Sequence, residues 1–150
     1  MAKLTDADYR SLSEFRYTLR RFLAFTESAA RGVGLTPQQH QALLAIKGNP
    51  DKTPMTVKQL AERLLLQPHS TFELTDRLET AGLITRAPSP SDRRKVLITP
   101  TEKAEQLLQS LSDRYQEEYL RVVPELADAL SAIVADLRRR ASERAKDPGV

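Results

Sequence analysis

The chain has 150 residues, with 23 Lys and Arg against 20 Asp and Glu, 40% hydrophobic and 29% charged residues, and no cysteine. That length can bury a core of its own, and the high charge content fits amphipathic helices with much solvated surface. The absence of cysteine excludes disulfides, thiolate metal sites and thiol redox sensing.

The first residues, MAKLTDADYRS, lack the apolar run of a secretory signal. The apolar run Leu64-Leu65-Leu66 is far too short to span a bilayer. A cytoplasmic location is therefore expected, with no membrane partner. Thr5 and Asp8 have capping-box spacing and open a helix expected over Asp6 to Arg31. Tyr9, Leu12, Phe15, Leu19, Phe22 and Thr26 recur at three- and four-residue steps along one face. Arg10, Arg16, Arg20 and Arg21 lie mostly off it, and Gly32 and Gly34 stop the helix.

Thr36 with Gln39 caps a second helix to about Lys47, with Pro37 at its first position and Leu43, Leu44 and Ile46 inward. Gly48-Asn49-Pro50 ends it, and Pro54 closes a polar loop. Thr56 with Gln59 opens a third helix to about Leu65, and after a tight turn a fourth runs from Pro68 to Ala81. Gly82 stands where a left-handed C-terminal glycine is expected. Leu83 to Ala87 and Lys95 to Ile98 read as short strands joined by the polar loop Pro88-Ser89-Pro90-Ser91.

Thr99 with Glu102, and Pro100 between them, reads as the next helix start. Leu107, Leu108, Leu111, Tyr115 and Tyr119 form its stripe, and Pro124 is expected to break or kink it. Leu126, Leu130, Ile133, Val134 and Leu137 carry a last helix toward a charged, frayed tail. The apolar stripes of the outer helices exceed what the small central module needs, so part of that surface is expected to bury against a second copy.

The order helix, turn, helix, basic hairpin between Leu60 and Thr101 suggests nucleic-acid binding. A helix held by a tight turn can enter a major groove. A basic hairpin beside it can reach phosphates or a minor groove. The hairpin charges Arg86, Asp92, Arg93, Arg94 and Lys95 sum to +3, equal to the net charge of the whole chain. Such local excess on a near-neutral protein fits directed phosphate contact.

On the expected recognition helix the candidate contacts are Gln67, Pro68, His69, Ser70, Thr71 and Glu73, although Thr71 also falls on the core face with Leu74, Leu78 and Ala81. Gln, His and Ser can hydrogen-bond to base edges or phosphates. Glu73 is a poor phosphate neighbour; it either accepts from a cytosine amino group or pairs with a nearby arginine. Phe72 is divided between the core and contact with a thymine methyl. In the hairpin, Arg93 and Arg94 are the expected groove or phosphate ligands, with Arg86 and Lys95 at its base and Asp92 bracing an arginine. Arg63 and Arg77 are expected as salt-bridge partners. No nucleophile motif, Gly-rich phosphate loop or paired carboxylates with a supporting histidine argues for an enzyme. The alternative reading is a protein-interaction module without DNA binding.

Residues from about Leu35 to Leu107 resemble the MarR (multiple antibiotic resistance regulator) family of winged-helix transcription regulators. The resemblance rests on LTPQQHQALLAI, MTVKQLAERL, TDRLETAGLI and SDRRKVLITPTEK. Asp92 and Arg94 match the Asp-x-Arg of the family's wing signature. Pro100 and Ala104 depart from its Leu-Thr-x-x-Gly, at the helix start rather than at the arginine. The resemblance implies a mainly α (α+β) fold: a winged helix-turn-helix over 35–101 with a two-stranded β wing, flanked by dimerisation helices over 1–34 and 102–150. It also implies a homodimer on a pseudopalindromic double-stranded DNA operator, repressing a gene until a small anionic or phenolic effector binds. No cofactor or metal is expected, since His40 and His69 are the only histidines and lie on different elements. The family's effector pocket would draw on Phe15, Tyr17, Phe22, Phe25, His40 and Tyr115, each of which also fits a core or interface.

Overall fold

The computed structural model describes residues 3–146. The elements are α1 (Asp6–Gly32), α2 (Pro37–Lys47), β1 (Met55–Thr56), α3 (Val57–Leu64), α4 (Pro68–Thr80), β2 (Ile84–Pro88), β3 (Val96–Pro100) and α5 (Glu102–Lys146). They form two compact units, one made of the chain up to Thr26 and from Tyr115, the other of Glu27–Arg114. The charged tail beyond Lys146 lies outside the described residues. Among the described residues, no helix is long and apolar enough to cross a membrane.

The central unit is mixed α and β. Its sheet has the order β1-β3-β2, all antiparallel, with Met55 opposite Ile98 and Ile84 opposite Pro100. The wing hairpin β2–β3 is thus joined by a third strand that sequence reading did not anticipate. Leu43, Leu60, Leu74, Leu78, Ile84 and Ile98 are fully buried and tie α2, α3 and α4 to the sheet. Burial of each such side chain is worth about 1.5–3 kcal/mol.

Helix starts follow the capping chemistry. Thr36 and Gln39 make a reciprocal box, as do Thr56 and Gln59. Asp8 accepts from the Thr5 backbone N–H at 2.8 Å, completing a box at α1. The start of α5 differs from expectation. Thr99 and Pro100 remain in β3, and Thr101 Oγ1 accepts from the Ala104 N–H at 3.3 Å. Proline is tolerated there because the end of a strand needs no further ladder donor. Pro124 does not break α5, whose assignment is continuous through it. The carbonyl that loses its donor is that of Leu120, an exposed residue, where water can replace the bond.

Gly82 has φ +72°, and the Leu83 N–H donates to the Leu78 carbonyl at 2.9 Å across it. Leu65, in the turn between α3 and α4, also has a left-handed φ, 56°. Its conformation lets the Leu66 N–H reach back to the Ala61 carbonyl at 2.9 Å, a glycine-type helix ending built with leucine. In α2 the buried residues are Ala42, Leu43 and Ile46, whereas Leu44, expected inward, is exposed.

In the other unit, Phe22 and Phe25 of α1 meet Tyr115 and Tyr119 of α5 edge-on, with centroids 5.6–5.9 Å apart. Asp8 is buried and forms an ion pair with Arg140. Tyr9 and Leu12, placed by periodicity on one face of α1, are exposed, as are Leu130, Val134 and Leu137. Part of the apolar periodicity of α1 and α5 is therefore unused within one chain.

Candidate nucleic-acid interface

The central unit presents α3 and α4 joined by the three residues Leu65, Leu66 and Gln67. Gln67 is the N-cap of α4 and makes no side-chain cap bond; Pro68 follows at the first helical position. The first-turn N–H groups and the helix dipole give this end a positive potential suited to phosphate. Thr71, Leu74, Thr75 and Leu78 bury one face of α4. The opposite face exposes His69, Phe72, Glu73 and Asp76, residues three, four and seven positions apart.

Of the recognition-helix candidates, Gln67, Pro68, His69 and Glu73 are exposed and Ser70 is half-buried. Thr71 requires a correction. It is fully buried, and its hydroxyl donates to the Gln67 carbonyl at 3.0 Å, so it belongs to the core and not to the reading face. Phe72 is 45% exposed and sits on the outward side.

In the wing, the turn is closed by Ser89 N–H to the Lys95 carbonyl at 2.9 Å and Lys95 N–H to the Asp92 carbonyl at 3.0 Å. The sequence suggested that Asp92 braces an arginine, and in the structure that arginine is Arg94. The Asp92 carboxylate accepts from the Arg94 backbone N–H at 3.1 Å and from Nε and Nη2 at 3.1 and 3.3 Å. The hydrogen bonds from Arg94 hold the Asp92 carboxyl below the usual carboxylate range. Arg94 remains 91% exposed despite this bracing. Arg93 and Lys95 are exposed as well, so three cations line the wing tip.

Arg86 has a different position. Its side chain is only 21% exposed, and it bridges β2 to α4. Nη1 donates to Thr75 Oγ1 at 3.2 Å, Nε and Nη2 donate to Glu79 at 3.3 and 3.2 Å, and Nη2 lies 2.5 Å from Asp76. The hydrogen bond to Arg86 holds Glu79 below the usual carboxylate range, and Glu79 in turn raises the guanidinium pKa. Arg63 and Arg77, expected as salt-bridge partners, are exposed and make no ion pair among the described residues. The carboxylates of α4 go instead to Arg86, a pairing across elements that helical spacing could not reveal.

The effector candidates do not all share one unit. Phe15 is half-buried, and Phe22, Phe25 and Tyr115 join the aromatic cluster in the outer unit, whereas Tyr17 is exposed there. His40 is half-buried in α2 of the central unit, where desolvation lowers its pKa below the usual histidine value.

The model of the MarR family matches residues 33–95, which include α3, α4 and most of the wing. An uncharacterized HTH-type transcriptional regulator, YcgE of Bacillus subtilis, is 30% identical over 139 residues, covering 88% of each chain. Among solved structures, the MarR family regulator AbsC of Streptomyces coelicolor shares the fold with a TM-score of 0.71 at 21% identity, over 92% of this chain and 99% of that one. A mutant MarR from E. coli, solved in complex with operator DNA, matches with a TM-score of 0.66 at 19% identity, over 83% of this chain and 88% of that one. With a relative at this identity along nearly its whole length, and the family pattern lying over the helix-turn-helix and wing, the chain belongs to the MarR family of transcriptional regulators.

Proposed function

We propose that this regulator is a homodimeric repressor that lays α4 in the major groove of a pseudopalindromic operator and its wing on the adjacent phosphates or minor groove. The observation that carries this reading is the division of polar groups in the central unit. Gln67, His69 and Glu73 are exposed and Ser70 is half-buried at and after the N-terminus of α4, and Arg93, Arg94 and Lys95 stand exposed at the wing tip. The complex of the structurally similar E. coli protein with operator DNA supports the same use of the fold.

Dimerisation is supported by the exposed apolar residues Tyr9, Leu12, Leu130, Val134 and Leu137 of α1 and α5. The wing signature and membership of the family support the finer reading: a regulator acting in the cytoplasm and released from DNA by a small anionic or phenolic ligand. A footprint on the DNA flanking its own gene tests the proposal. Protection of two half-sites one helical turn apart is expected, with binding that falls about three to five decades between 50 and 200 mM salt for six to ten phosphate contacts. Binding insensitive to salt, or no footprint, would favour a protein-interaction role. Repeating the footprint with small phenolic acids tests release by a ligand.

A further inference from the structure

The outward face of α4 carries three carboxylates, and among the described residues only one of them is left without a cation. Asp76 and Glu79 are both engaged by Arg86. Glu73 is exposed and makes no hydrogen bond or ion pair among the described residues. Arg77, one turn further along, does not pair with it. Among the described residues, a bracing role for Glu73 therefore has no partner.

The position of Glu73 also limits what it can meet. It lies four residues after His69, on the same exposed face and within the N-terminal half of the helix. A carboxylate there accepts hydrogen bonds and cannot donate them. It is repelled by phosphates and by the guanine N7 and O6 acceptors in the major groove. The edge groups that can satisfy it are exocyclic amines. On its own edge cytosine presents its amine with no acceptor beside it and only the paired guanine O6 on one side, whereas the adenine amine lies between its own N7 and the paired thymine O4. Cytosine is thus the base that an unpaired glutamate tolerates best.

The geometry points to Glu73 as a specificity-determining residue that requires a cytosine at one position in each operator half-site. This inference rests on α4 being the DNA-reading helix. The cost of desolvating the carboxylate is offset only where an amine receives it, so Glu73 acts more by rejecting wrong bases than by adding affinity.

The test is selection from a randomised duplex pool, followed by sequencing, with the full-length protein and its Glu73→Gln and Glu73→Ala variants. Thermal melts establish that each variant is folded, as expected for an exposed residue. The native protein should prefer cytosine at one position per half-site by about fivefold or more. Glu73→Gln should move that same position toward adenine, which glutamine contacts bidentately. Glu73→Ala should flatten the preference at that position and leave the rest of the motif recognisable. If the native protein selects a motif but all three profiles coincide, the assignment of Glu73 is overturned while α4 still reads DNA. If the native protein selects no motif at all, the reading of α4 itself fails.

Discussion

Arg86 donates from Nε and Nη2 to the two carboxylate oxygens of Glu79, at 3.3 and 3.2 Å, and so fixes the first strand of the wing to the C-terminal half of α4. With Asp76 at 2.5 Å on the same guanidinium, one cation covers two carboxylates on a helix proposed to face DNA. The arginine therefore both positions the wing and masks negative charge.

Arg86→Gln should separate these effects. Operator affinity should fall at least about tenfold, because like-charge juxtaposition at an interface costs several kcal/mol. Stability should fall by only about 1 kcal/mol, since Asp76 and Glu79 are largely exposed and solvent screens the pairs. Adding Asp76→Asn and Glu79→Gln should restore much of the affinity if masking dominates. Titrations of the single and triple variants at fixed salt decide the matter; no recovery in the triple variant would leave positioning as the role.

The parts of this site that were legible in the sequence are those held by local spacing. Thr36 with Gln39 and Thr56 with Gln59 announce their helices three residues apart, Gly82 marks a left-handed turn, and Asp92 braces a residue only two positions away. The parts that were not legible depend on residues far apart in the chain. Strand β1 has two residues, too few to show alternation, and exists only because Met55 and Thr56 pair with Ile98 and Leu97. Arg86 finds Asp76 and Glu79 across a strand and a helix. Thr99 and Thr101 both have cap-like contexts, and only the pairing of Pro100 with Ile84 gives the cap to Thr101. Pro124 does not interrupt α5 because the exposed Leu120 carbonyl on the preceding turn can turn to water.

At the wing tip, Arg94→Ala should weaken operator binding while the proposed dimer persists. The slope of log affinity against log salt should drop by about one phosphate's worth per wing, near 0.9 each and so about 1.8 for the proposed dimer. Asp92→Asn should have a smaller effect in the same direction, because it leaves the cation in place and loosens its bracing. Affinity measured at several salt concentrations, with size-exclusion chromatography for the dimer, checks both. An unchanged slope for Arg94→Ala would remove Arg94 from the interface.

Leu65 occupies a left-handed conformation with its side chain 93% exposed, so it carries backbone strain without a packing return in the single chain. Leu65→Gly removes a penalty of about 1–2 kcal/mol for that conformation, against which glycine's greater freedom in the unfolded chain costs about 0.5–1 kcal/mol. A net gain of up to about 1.5 kcal/mol is expected in urea denaturation. A loss of that size would mean that the exposed leucine buries against a partner surface in the proposed dimer.

In the outer unit, Asp8 caps α1 through Thr5 and receives Arg140 from α5, with its side chain only 6% exposed. Asp8→Ala removes the cap and leaves the arginine without its partner, at a cost of about 3 kcal/mol. Asp8→Asn should cost less, because an amide oxygen still accepts from Thr5. Chemical denaturation ranks the two variants, and equal costs would place the whole effect in the ion pair.

His40 supplies the pH dependence. Desolvation lowers its pKa in the folded state below the ordinary value of about 6.5. Above that value both states are neutral at this site and stability is unaffected by it. As pH falls below about 6.5 the unfolded chain takes up the proton first, so stability declines until the lower folded-state pKa is passed. His40→Gln should flatten this decline between pH 7.5 and 5.5. Urea midpoints across that range provide the measurement, and an identical pH slope in the His40 variant would assign the decline to other groups.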